Sequence, residues 1–219
     1  MSRLITFGDS YTYGHGLADC HIPIKKVAFL TTKKNWAGPT PSKFAWPQVL
    51  GDMLDLKVIN KSAPGNSNVQ ILRDILSFEN FLPSDLVIIG WTYPVRDCIF
   101  KKNLLGKDIS FRISPWHNDK NFLKKWLAVH SDYDLAIRAG LYVHHAECFL
   151  KNIGINQYHF SAHHGWVQVM PDFTITPENY IPYMILNRDL DLALDDSHPG
   201  PIAHKLAAEK LYEIINASK

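Results

Sequence analysis

The chain has 219 residues, of which 46% are apolar or aromatic, so a disordered or fibrous protein is excluded and a full core is affordable without disulfides or a structural metal. Its 23 Lys and Arg against 21 Asp and Glu leave a formal charge of +2, a field too weak to select nucleic acid or an anionic lipid surface as partner. The length suits one domain over 1–219, and the three cysteines, Cys20, Cys98 and Cys148, are odd in number and irregularly spaced, as reduced thiols are. The first residues reach Asp9 too soon for a signal-peptide core, and the longest apolar stretch, around Leu86 to Trp91, is far short of the ~20 residues of a membrane helix. A cytoplasmic protein without a membrane span is expected.

Leu4 to Phe7 is a short apolar run closed by Gly8-Asp9-Ser10, the pattern of a buried strand ending in a turn. Lys43 to Leu54 spaces Phe44, Val49, Leu50, Met53 and Leu54 as a helix does, with Pro47 confined to its first turn. Leu56 to Asn60 reads as a second strand. Asn68 to Phe78 reads as a helix capped by Asn66, Ser67 or Asn68, and Asp85 to Gly90 as a third strand.

From 93 to 132 the periodicity is lost, which predicts an irregular surface insertion. Asp134 to Lys151 is an amphipathic helix followed by Gly154, and Gln157 to Ala162 a fourth strand. The segment 163–194 is again irregular, with Trp166 to Met170 as candidate fifth strand, and Pro201 to Ala217 is a helix opened by proline. Apolar strands alternating with amphipathic helices predict the doubly wound α/β class, a parallel sheet with helices on both faces. Ligands of such folds bind beyond the carboxyl ends of the strands. There the pattern puts Gly8-Asp9-Ser10, Pro64-Gly65-Asn66 and Gly90-Trp91-Thr92.

A serine hydroxyl becomes a nucleophile when an imidazole takes its proton, and a carboxylate fixes that imidazole's tautomer. Ser10 sits at the first turn, and Asp195-Asp196-Ser197-His198-Pro199 places carboxylates two and three residues before a histidine, just ahead of the last helix. Gly8-Asp9-Ser10 alone is also an ordinary polar turn. Gly14-His15-Gly16 lacks the residues of a nucleotide loop and reads as a flexible loop. His144, His145, Cys148, His159, His163 and His164 include one i,i+4 pair but no repeated ligand pairs, which favours surface or core histidines over a metal site. His163 or His164 remains a candidate for lining the site edge. Trp91 and Tyr93 flank the third turn; packing accounts for most of the other tryptophans.

Gly8-Asp9-Ser10 after the first strand and Asp195-x-x-His198 before the last helix together resemble the GDSL/SGNH hydrolase family, over nearly the whole chain. The resemblance implies a flavodoxin-like winding, with Ser10 as nucleophile, His198 as general base and then acid, and Asp195 as orienting carboxylate. Asp196 competes for that last role at a spacing that does not match. It also implies an oxyanion hole from the Ser10 and Gly65 N–H groups and an asparagine side chain. The chain departs here: Gly90-Trp91-Thr92-Tyr93 stands where the family has Gly-x-Asn-Asp, leaving Thr92, Asn66 or Asn68 to complete the hole. The implied activity is hydrolysis of a small-molecule or glycan carboxylic ester through an acyl-enzyme, with no cofactor and no metal. The alternatives are an acyltransferase with the same triad and a weakly active or inactive binding member of the fold.

Overall fold

The structure is a computed structural model that describes residues 2–21, 38–102, 108–114, 120–161, 178–181 and 186–217. In chain order its elements are β1 (Arg3–Phe7), the single turn α1 (Ser10–Tyr13), α2 (Trp46–Leu54), β2 (Lys57–Asn60), α3 (Asn68–Leu76) and β3 (Leu86–Trp91). There follow β4 (Asp97–Lys102), β5 (Asp108–Ile113), α4 (Lys120–Val129), α5 (Asp132–Asn152), β6 (Asn156–Ser161), β7 (Tyr180–Ile181) and α6 (Pro201–Ala217). Five strands form a parallel sheet in the order β2-β1-β3-β6-β7.

Helices cover both faces, so β1 and β3 are buried on both sides. Along β1, Leu4 packs with Trp46 and Leu50 of α2 and Ala207 and Leu211 of α6, whereas Ile5 and Phe7 pack with Ile71 and Ile75 of α3 and Val143 and Leu150 of α5. Along β3, Leu86 and Ile88 join the first cluster and Val87, Ile89 and Trp91 the second. This two-residue alternation inside a continuous apolar run is what a sheet buried on both sides requires.

The helix ends are fixed locally. Ser67 opens α3, its N–H donating to Gln70 Oε1 at 3.2 Å, and Ser131 Oγ accepts from the Asp134 N–H at 3.1 Å to cap α5. The first turn of α2 is held from a distance: the Trp46 N–H donates to Nδ1 of the buried His204 on α6, at 3.1 Å.

Two expectations need correction. The segment 93–132 is not irregular, because β4 and β5 pair as an antiparallel hairpin and α4 follows them. Its periodicity is weak because the hairpin and α4 form a thin layer at the protein surface: no residue of α4 is buried, and its contact with the hairpin is carried by rings such as Phe122 against Phe111, 5.2 Å between centroids. Among the described residues the fifth strand of the sheet is β7, at Tyr180–Ile181, within the stretch expected to be irregular. Two residues carry no periodicity to read. Trp166 to Met170 lies outside the described residues, as do His163 and His164.

The chain leaves β1 for β2 on one side and returns to β3 on the other. The carboxyl ends of β1 and β3 therefore flank the switch point, the crevice where open α/β sheets bind ligands. Ser10 follows the first of these ends and Thr92 the second.

Candidate active site

Asp9 caps the turn that carries Ser10. Its Oδ1 accepts the Tyr11 N–H at 2.9 Å, which forces the chain into a helical turn directly after the strand. The carboxylate is wholly buried, and its Oδ2 accepts from Thr92 Oγ1 at 2.6 Å and from Arg96 Nη1 at 2.9 Å. A buried carboxylate persists only where donors and a counter-charge replace water, and Thr92 and Arg96 supply both. Ser10 is 5% exposed. Its carbonyl accepts the N–H groups of Gly14 and His15, both at 3.0 Å, which closes the turn beneath it.

Asp195 and His198 form a hydrogen-bonded pair. His198 Nδ1–H donates to Asp195 Oδ2 at 2.6 Å, while Asp195 Oδ1 accepts the backbone N–H groups of Ser197 and His198, each at 3.1 Å. Burial works to raise the Asp195 carboxyl, but the hydrogen bond and charge of His198 and the two backbone donors outweigh it, so the group lies well below the ordinary carboxylate range. It is Asp195, not Asp196, that holds the ring.

The imidazole of His198 lies against the Ser10 turn. Its centroid is 5.6 Å from the ring of Tyr11, the next residue after Ser10, and 4.7 Å from that of His15. His198 Nε2 has no hydrogen-bond partner among the described residues, and no hydrogen bond joins Ser10 Oγ to His198.

Two residues beside this pair were missed by sequence reasoning. His15 has Nε2 3.6 Å from Asp195 Oδ2 and Nδ1 buried without a partner among the described residues; burial and then His198 push its pKa down to about 4, so the ring is neutral at physiological pH. Gly16, at φ 86°, lets the backbone pass the carboxylate: a Cβ there would sit 2.7 Å from Asp195 Cγ. Gly16→Ala must therefore strain a left-handed backbone and displace Asp195. We expect it to cost about 1–3 kcal/mol in urea unfolding and to lower any His198-dependent activity with it; a variant as stable and active as the parent would show that Asp195 tolerates displacement.

Beyond β2, Gly65 adopts φ 75°, and the loop is tied to the Ser10 turn by the Ala63 N–H and Asn66 Nδ2, which donate to Gly8 O at 3.2 Å each. The expected third oxyanion donor is otherwise engaged. The one hydroxyl proton of Thr92 goes to Asp9, and its oxygen accepts from Arg96 Nη1 at 2.9 Å. Asn68 Nδ2 donates to the carbonyls of Thr92 and Tyr93 and its Oδ1 accepts the Thr92 N–H, while Asn66 Nδ2 donates to Gly8 O and Asp74 Oδ2. Both amides hold loops together.

Comparison with solved structures places the architecture. The psychrotrophic esterase EstA from Pseudoalteromonas sp. superposes with a TM-score of 0.55 at 12% identity, over 99% of this chain and 97% of its own. TesA gives 0.56 at 10%, over 99% of each chain. An acetyl xylan esterase, Est2A, from Butyrivibrio proteoclasticus gives 0.56 at 11%, over 99% of this chain and 64% of its own. The chain has the doubly wound α/β fold of the SGNH hydrolases. No protein-family model matches the sequence, and no curated protein does.

Set on the SGNH fold, the remaining titratable groups divide clearly. His159 is a core histidine, with Nδ1 accepting from Trp91 Nε1 at 3.1 Å and Nε2 2.9 Å from Gln157 Oε1. His144 and Cys148 do approach each other on α5, Nε2 to Sγ 3.5 Å, but among the described residues no third ligand joins them. The one grouping there that could hold a metal is His15, Asp195 and His198, with one donor atom of each within 4.8 Å of the others. Metal-bound imidazoles give their other N–H to an acceptor. Nδ1 of His15 has none, so His15 fits a packing partner of the pair better than a ligand. No helix among the described residues is long and apolar enough to cross a membrane.

Proposed function

We propose that the protein is a serine hydrolase that cleaves a carboxylic ester through an acyl-enzyme on Ser10. The observation that carries this reading is the Asp195–His198 hydrogen bond, held against the Ser10 turn at the switch point of the sheet. Because Nδ1–H is committed to Asp195, the lone pair of His198 is on Nε2, the nitrogen that takes the Ser10 proton as Oγ adds to the carbonyl carbon. The carbonyl π pair moves onto oxygen. The N–H groups of Ser10 and Gly65, neither of which makes a hydrogen bond among the described residues, receive that charge.

Collapse of the intermediate expels the alcohol with the proton from His198. Water deprotonated at the same nitrogen then releases the acid and restores Ser10. Ser10 Oγ closes onto Nε2 when substrate is bound, since catalytic hydrogen bonds often tighten only then. Two of the solved structures sharing the fold are named as esterases, one of acetyl xylan, which supports small acyl esters or acetylated glycans as the substrate class.

The test is turnover of p-nitrophenyl acetate. Ser10→Ala is expected to lower kcat/KM at least about 10³-fold while the protein stays folded by circular dichroism. Equal rates for the two proteins would reject the reading. Products formed with added alcohol separate hydrolysis from acyl transfer.

A further inference from the structure

We propose that Arg112 supplies the third oxyanion donor of this site, in place of the side chain that Thr92 cannot offer; the inference rests on the esterase reading above and adds a residue to it. Three side chains stood to complete the hole. The Thr92 hydroxyl is spent on Asp9, Asn68 is spent on the backbone of Thr92 and Tyr93, and Asn66 on Gly8 and Asp74.

Arg112 comes from β5, an element that sequence periodicity did not reveal. Its Nη1 donates to Pro64 O at 2.5 Å and lies 2.9 Å from where a Cβ on Gly65 would stand. The guanidinium therefore lies on the very residue whose N–H is free to meet the oxyanion. A guanidinium has five N–H donors. Arg112 uses one hydrogen bond to Pro64 and has no carboxylate within ion-pair distance among the described residues, Asp74 acting on it only from farther off, so most of its donors are available.

The hairpin that presents Arg112 is anchored to the sheet's own helix layer. Gln70 Nε2 of α3 donates to Ser110 Oγ at 3.3 Å, and the Arg73 guanidinium of α3 lies 4.9 Å from the Phe100 ring centroid. Arg96 is committed elsewhere, because its guanidinium is ion-paired with the buried Asp9 carboxylate and bound to Thr92. The two arginines thus divide the work: one neutralises the buried carboxylate under the nucleophile, and the other faces the developing charge.

In the addition step the electron pair of the carbonyl goes to its oxygen and the Ser10 proton to His198. Arg112 donates a hydrogen bond to that oxygen and transfers no proton, so it returns unchanged on collapse. A charged donor forms a shorter and stronger bond to an oxyanion than a neutral amide does. Its effect appears only as charge develops, hence in kcat rather than KM.

The experiment compares Arg112→Met and Arg112→Lys with the parent on p-nitrophenyl acetate. A second arm measures binding of inorganic phosphate to the Ser10→Ala and Ser10→Ala/Arg112→Met proteins by calorimetry. Expected results are a loss of about 10²-fold in kcat for Arg112→Met with KM within about threefold, partial recovery in Arg112→Lys, and phosphate affinity about tenfold weaker without the guanidinium. A kcat within threefold of the parent, an effect confined to KM, or unchanged phosphate affinity overturns the assignment. Turnover that does not depend on Ser10 overturns the esterase reading instead, and the phosphate titration then decides on its own whether Arg112 holds an anion there.

Discussion

Replacing Asp195 by Asn is expected to lower the proposed ester turnover by roughly 10³–10⁴-fold with little change in KM. The size follows from the way the carboxylate is shared. Oδ1 accepts two backbone N–H groups, from Ser197 and His198, and Oδ2 accepts the ring Nδ1–H. An asparagine must present its carbonyl oxygen to the two backbone donors, because its NH2 group cannot accept from them. The NH2 then faces Nδ1 of the ring and donates to it. Nδ1 becomes the acceptor, the proton moves to Nε2, and a nitrogen that carries a proton cannot take one from Ser10.

The loop keeps its shape in this variant, which is why the loss falls on kcat and not on binding. Asp196→Asn is the matched control: Asp196 is exposed, sits at φ 54°, and makes no bond to the ring, so its turnover should stay within about twofold. Steady-state kinetics on both variants decide the matter. An Asp195→Asn enzyme that keeps a tenth or more of its kcat would mean that the carboxylate does not set the tautomer of His198.

Stability is expected to collapse on mild acidification. Burial pushes His159 and His204 down to about 3, and burial followed by the charge of His198 pushes His15 to about 4. All three rings gain a proton near pH ~6.5 once unfolded but not while folded, so the unfolded state binds more protons and stability falls as pH drops below that value. Each ring costs up to about 1.4 kcal/mol per pH unit, and the three together remove roughly 6–7 kcal/mol between pH 6.5 and 4.5. That is comparable with the whole stability of a domain, about 5–15 kcal/mol.

The carboxylates Asp195 and Asp85, held below their ordinary range, add losses of the same sign only at more acid pH, below about 3.9. Asp74, raised by burial, works in the opposite direction and offsets part of the slope. Urea unfolding between pH 7 and 4.5 reads the effect, and a stability that is flat across that window would mean that the buried rings are solvated. His204→Gln should flatten the slope by about a third and also weaken the hold on the first turn of α2, where the Trp46 N–H depends on that ring.

The sites differ in how legible they were. Ser10 and the Asp195 to His198 block were visible because each sits at the boundary of a clearly periodic element, and short-range spacing fixes what a side chain can reach within one turn. The choice of Asp195 over Asp196 follows the same spacing, since Oδ1 of a residue three before the ring can accept the N–H of that ring's own residue. Thr92 was located at the right end of the right strand as one of three candidate donors, and the structure commits its hydroxyl to Asp9. Nothing in Gly90-Trp91-Thr92-Tyr93 says that an arginine four residues on will share the hydroxyl with the aspartate beside Ser10.

Arg112 and His15 carried no signal either, one because the hairpin beneath it is marked by only weak alternation, the other because Gly14-His15-Gly16 reads as a flexible loop until Asp195 is folded against it. The same limit applies to β7, whose two residues are a strand only because β6 lies alongside.

By itself the amino-acid sequence determined four strands of the sheet and the helices packed on it, because burial leaves apolar runs in a strand and a stripe along a helix, and both are local patterns. It also determined where Ser10 and the Asp195 to His198 block stand along the chain. Tertiary structure alone decided what each polar group does once there: which carboxylate oxygen meets the ring, which hydroxyl is consumed by Asp9, and which guanidinium lies on Gly65. Hydrogen bonds and ion pairs are short-ranged and saturable, so a donor's task depends on what else lies within about 3 Å, and that is set by contacts between residues far apart in the chain.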